Sequence, residues 1–136
     1  MVDADGDRLV LTIDLDRNPD APALARAAIN GFCEDRNFSA SMVATLTLLV
    51  SEVVTNAVIH PDTRPLETIT MRASVEHDTV RVEVSDPGRR FTPRPRDPDR
   101  VDGGYGLYLV ESEAARWGVG AGPTTTVWFE VAGRSV

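Results

Sequence analysis

Glu52 and Asn56 stand four residues apart in the most apolar stretch of the chain, Met42 to His60. At helical spacing, four residues bring two side chains to one face, one turn above the other. A carboxylate in apolar surroundings is costly unless it has a partner or a task. Two tasks suit this pair. A glutamate can accept a proton from an attacking hydroxyl or water, and an asparagine oxygen is a hard ligand of the kind Mg²⁺ takes. The plainer alternative is a partly exposed polar stripe on an ordinary helix.

Two further stretches have types suited to the same chemistry. Asp86-Pro87-Gly88 closes an apolar-alternating run, and an aspartate there can accept from an exocyclic amine of a purine. Gly103-Gly104-Tyr105-Gly106-Leu107 runs directly into a helical pattern. Free backbone N–H groups and the helix dipole at such a start favour an anion, with no lysine needed. Between the two lies a stretch with Pro87, Pro93, Pro95 and Pro98 and with Arg89, Arg90, Arg94, Arg96 and Arg100. It has no apolar period and is expected to be a lid or binding loop, the alternative being a disordered excursion.

The elements that must position these residues are legible by period. Arg8 to Leu15 alternates as a strand. Asn18-Pro19 gives a cap followed by proline at a first helical position, opening a helix to about Arg36 that holds Cys33 near its buried side. Ser39 or Ser41 caps the central helix and Pro61 stops it. That helix is apolar almost all round and should be packed on most of its surface. Glu67 to His77 and Thr79 to Ser85 alternate on either side of a short turn and predict an antiparallel hairpin with one wet face. The glycine-led helix should run through Trp117, Gly118 to Pro123 should turn the chain, and Thr124 to Val131 should form a last strand.

Composition narrows the function further. The chain has 136 residues and a formal net charge of -7, which argues against a nucleic-acid backbone as partner. All 14 basic residues are arginine. A Walker A loop and a eukaryotic-type kinase site each need a lysine on the phosphates, so both are excluded. A single cysteine rules out a disulfide framework. No run reaches about 18 uninterrupted apolar residues, and the acidic N-terminus is unlike a signal peptide. One domain over residues 1–136, in the cytoplasm and off the membrane, is the expectation.

At these residues the chain resembles a known group. Ser51 to His60 looks like the N box of the GHKL ATPases, which include gyrase, histidine kinases and mismatch-repair ATPases. Asp86-Pro87-Gly88 is similar to the group's first glycine box, and Gly104-Tyr105-Gly106-Leu107 to its second. Within the group, Trp117-Gly118 and Thr126-Val127-Trp128-Phe129 look most like the bacterial anti-sigma factor serine kinases. The resemblance covers roughly residues 8–131. Two departures stand out: Arg90 replaces a frequent glycine, and Thr125 replaces a frequent lysine.

The resemblance implies a two-layer α/β sandwich of the Bergerat type, with helices on one face of a mixed, mostly antiparallel sheet. It implies ATP and Mg²⁺ as cofactors, with Glu52 as general base and Asn56 as the Mg²⁺ ligand. Asp86 would read the adenine amine, and Gly88 would allow close approach of the base. Gly104, Gly106 and Leu107 would bind the nucleotide, the two glycines at its phosphates. Thr126 would support the adenine end. The implied function is an anti-sigma factor that phosphorylates a serine or threonine on an anti-anti-sigma (STAS-type) protein, with a sigma factor as the other partner and room for a homodimer. The alternative is a regulatory module that holds ATP or a partner with little phosphotransfer. A detached histidine-kinase ATPase domain is disfavoured, because no phosphoacceptor helix hairpin precedes it and His60 and His77 are the only histidines.

Overall fold

Period-two alternation along the strands sorts their side chains into a dry face and a wet one, and the described helices lie on the dry face. The computed structural model describes residues 9–34, 36–59, 68–86, 105–120 and 124–133. Strands β1 (Leu9–Asp16), β2 (Thr68–Glu76) and β3 (Thr79–Asp86) are followed by β4 (Arg116–Gly120) and β5 (Thr125–Ala132). Helices α1 (Ala21–Glu34) and α2 (Ala40–Ile59) come between β1 and β2, and α3 (Tyr105–Glu113) precedes β4. The sheet order is β1-β2-β3-β5-β4, and each neighbouring pair is antiparallel. The expected α/β sandwich with helices on one face is what forms.

Ile69, Met71 and Ala73 of β2, Val80, Val82 and Val84 of β3, and Val127, Phe129 and Val131 of β5 point into the core. From the other side α2 inserts Leu46, Leu49, Val50, Val53 and Val54. Full burial of each of these valine, leucine, isoleucine, methionine or phenylalanine side chains stabilises by about 1.5–3 kcal/mol. Among the described residues α2 is long and apolar enough to cross a membrane by length and composition alone. Here it packs against α1, α3, β3 and β5, as a core helix does.

Local chemistry sets the element ends. The Ser39 hydroxyl accepts from the Met42 amide at 3.1 Å, which makes Ser39 the N-cap of α2. Asn18 turns the chain ahead of α1, its side-chain oxygen accepting from the Asp20 amide at 2.9 Å. Pro19 therefore lies before the helix instead of opening it; Pro22 takes the first-turn position where a missing N–H costs nothing. His77 and Asp78 link β2 to β3, His77 with φ of 57°.

The stretch after α3 departs from expectation. The helix stops at Glu113, and Arg116–Gly120 is an edge strand, where the sequence pattern suggested more helix and then a turn. The Ala114 amide still bonds back to Val110, but the Ala115 amide donates to the Glu130 carbonyl at 2.8 Å and passes the backbone to the sheet. Gly118 sits against Trp128, and a Cβ built there would come within 2.9 Å of the indole. That glycine serves packing on a strand and not a turn.

Candidate functional site

Asn56 is 8% exposed in a largely apolar helix, and Glu52, one turn earlier, is half-buried. Burial sets Asn56 apart from an exposed stripe, while Glu52 keeps part of its surface in solvent. Ser51, beside Glu52, accepts from the Arg26 guanidinium of α1 at 2.8 Å, which ties the two helices together next to the carboxylate.

Asp86 is the last residue of β3 and is 2% exposed. Its carboxylate is gripped by Arg17, which follows β1: one guanidinium nitrogen donates to Oδ1 at 2.6 Å and the other to Oδ2 at 3.0 Å. Both side chains are only 3% exposed. The nitrogen on Oδ2 also donates to the Ala57 carbonyl at 3.0 Å. One arginine thus joins the end of β1, the end of β3 and the last turns of α2, immediately after Asn56. The structure therefore brings Asp86 to the Asn56 end of the helix. Arg17 escaped the sequence reading, because nothing local pairs it with a residue 69 positions away.

The strand register separates two threonines. Thr125 pairs with Asp86 and Thr126 with Ser85 across β3 and β5. Thr125 is buried on the helix side, whereas the Thr126 hydroxyl lies 2.9 Å from that of Ser85 on the outer side. The structure does not bring Thr126 to the face that carries Asp86; Thr125 stands there instead. Gly106 and Leu107 fall in the first turn of α3, the helix whose start was expected to hold phosphates, and α3 packs on α2. Gly88, Gly104, Arg90, His60 and the whole arginine-rich stretch from Arg89 to Gly103 lie outside the described residues.

Among the described residues no cluster of three or more His, Cys, Asp or Glu could hold a metal. Mg²⁺ commonly keeps several waters and takes one or two protein oxygens plus phosphates, which Asn56 could satisfy. The histidine kinase-like ATPase domain model matches residues 15–129, a span that contains Glu52, Asn56 and Asp86. The chain belongs to that family.

As a histidine kinase-like ATPase domain it has named relatives at low identity. Serine-protein kinase RsbW of Listeria monocytogenes serovar 1/2a is 28% identical over 116 residues, covering 75% of this chain and 73% of the relative. RsbW of L. monocytogenes serotype 4a gives the same figures, 28% over 116 residues. The solved RsbU and RsbW domains of Rv1364c from Mycobacterium tuberculosis align with a TM-score of 0.72 at 23% identity over 92% of this chain. The chain spans only 32% of that longer one. The histidine kinase domain of the Erythrobacter litoralis EL346 blue-light activated kinase aligns with a TM-score of 0.54 at 25% identity, covering 82% of this chain and 59% of that one.

Proposed function

We propose that this ATPase domain is an anti-sigma factor of the partner-switching kind, acting in the cytoplasm as a serine/threonine kinase on an anti-anti-sigma protein. The observation that carries the reading is the meeting of the α2 end, with buried Asn56, and the β3 end, with buried Asp86. Similarity to proteins named serine-protein kinase RsbW supports the choice of a serine kinase within the family.

In this reading Asp86 and Thr125 take the adenine end of ATP, and Thr125 replaces Thr126 in the role expected from sequence. Asn56 offers its oxygen to Mg²⁺, and Gly88, Gly104, Gly106 and Leu107 take the rest of the nucleotide. Bound Mg-ATP supplies the phosphoryl group for transfer. Glu52 accepts the proton of the attacking hydroxyl; its half-buried setting leaves the carboxylate within reach of solvent. Incubation with radiolabelled ATP and a candidate antagonist tests the proposal. Label on a serine or threonine of the antagonist is the expected result, and ATP binding with no transfer would leave only a binding module.

A further inference from the structure

We propose that Arg17 is a built-in occupant of the base position, and that a nucleotide binds only after the guanidinium has left Asp86. This rests on the reading of Asp86 as the residue that takes the amine of adenine.

The geometry argues for a competitor and not a support. An amine that reads Asp86 must come within about 3 Å of a carboxylate oxygen. Both oxygens already have a guanidinium N–H at 2.6 and 3.0 Å, and the Asp86 side chain is 3% exposed. A residue that merely propped the carboxylate would need no bond to α2. Arg17 instead spans the gap between the elements: the nitrogen on Oδ2 also holds the Ala57 carbonyl of α2. A base lying against α2 and reading Asp86 must enter that same gap. Arginine makes toward the carboxylate the contact a base amine would make, with two parallel bonds in a fixed fork.

The consequence for affinity follows from populations. Where the competent form is a fraction of the molecules, the apparent dissociation constant rises by the inverse of that fraction. A latch closed nine-tenths of the time therefore weakens binding about tenfold. It also makes β1 a control point, because Arg17 directly follows that strand.

The test is calorimetric titration of Mg-ATP into wild type, Arg17→Gln and Arg17→Lys. Arg17→Gln should bind about tenfold or more tighter than wild type, and Arg17→Lys, with a point charge for a fork, should fall between. Equal or weaker binding by Arg17→Gln overturns the latch while leaving the ATPase reading intact. If none of the three proteins binds ATP, the ATPase reading falls and the latch with it. Loss of a buried cation can unfold a domain, so a crystal structure of wild type with Mg²⁺ and a non-hydrolysable ATP analogue gives an independent answer. The guanidinium should lie beyond hydrogen-bond reach of both Asp86 oxygens; a fork still in place beside the bound base overturns the proposal.

Discussion

The hydroxyls of Ser85 and Thr126 meet at 2.9 Å on the side of the sheet turned away from the helices, and that pairing leaves Thr125 facing in, opposite Asp86. Thr125→Val keeps the shape and removes the hydroxyl on the inner face. It should weaken ATP roughly 2- to 10-fold, as loss of one neutral hydrogen bond does. Thr126→Val should leave affinity unchanged. Titration of both variants checks the register, and a larger effect at Thr126 would reverse the assignment.

Asp86→Asn should cost stability and affinity together. Removing one partner of a buried ion pair destabilises by about 3–5 kcal/mol, because the other charge is left behind. Replacing both, as Arg17→Met with Asp86→Leu, should cost far less. Urea unfolding midpoints of the three proteins measure the contrast. At temperatures where Asp86→Asn stays folded, ATP should bind about 10- to 150-fold more weakly for the lost charge-assisted bond, less any relief from releasing Arg17.

Glu52 and Asn56 should separate chemistry from binding. Glu52→Gln keeps size but not basicity, and general-base catalysis is worth roughly 10²- to 10⁴-fold. Transfer to the antagonist should drop by at least the lower figure, with ATP affinity held or slightly raised. Asn56→Ala should weaken Mg²⁺-dependent binding as well as turnover. Phosphotransfer by Glu52→Gln at the wild-type rate would make Glu52 a structural carboxylate.

Adjacent residues of β5 should behave differently because they point to opposite faces. Phe129 is fully buried, and Phe129→Ala should lose about 3–5 kcal/mol. Trp128 lies on the outer face with the Arg81 guanidinium 4.0 Å from its ring centroid. Trp128→Ala should lose less, with about 0.5–1 kcal/mol from that cation–π contact. Thermal or urea unfolding of the pair reads the difference directly.

Cys33 should be a quiet thiol. Burial pushes its pKa up, against a smaller opposing pull from Arg36. The sign follows from a raised folded value: its contribution to stability is full below the pKa of the unfolded thiol and is lost as pH rises through the folded one. Stability should therefore decline on the alkaline side through this group. Thiol reagents at neutral pH should label Cys33 only as fast as the protein opens. Rapid labelling of folded protein would contradict its placement.

What the sequence disclosed depends on how far each constraint reaches along the chain. Ile69, Met71 and Ala73, then Val80, Val82 and Val84, announce two strands because their period is local. Asn56 stood out as a polar residue in an apolar stretch, and Asp86 as the residue that closes an alternating strand ahead of Pro87-Gly88. Arg116–Gly120 was hidden: Gly118 and Gly120 imitate a turn, and only Trp128 on another strand shows why Gly118 must be small. Thr124, Thr125 and Thr126 give no internal marker of register; pairing with β3 supplies it. Arg17 was invisible because its carboxylate partner lies 69 residues away.

The position of β1 at one rim of the sheet has a consequence for how the molecule assembles. Among the described residues its one partner in the sheet is β2, with Leu9 opposite Val75 and Asp16 opposite Thr68. During synthesis β1 emerges before β2, which starts more than fifty residues later, so its docking closes a long loop while the β2–β3 hairpin closes a short one. The segment that delivers Arg17 is thus among the last to be fixed and, as an edge, among the first to peel away. Amide exchange should find β1 opening at lower free energy than the β3–β5 ladder, so the molecule can lose its grip on Asp86 while its central strands stay intact.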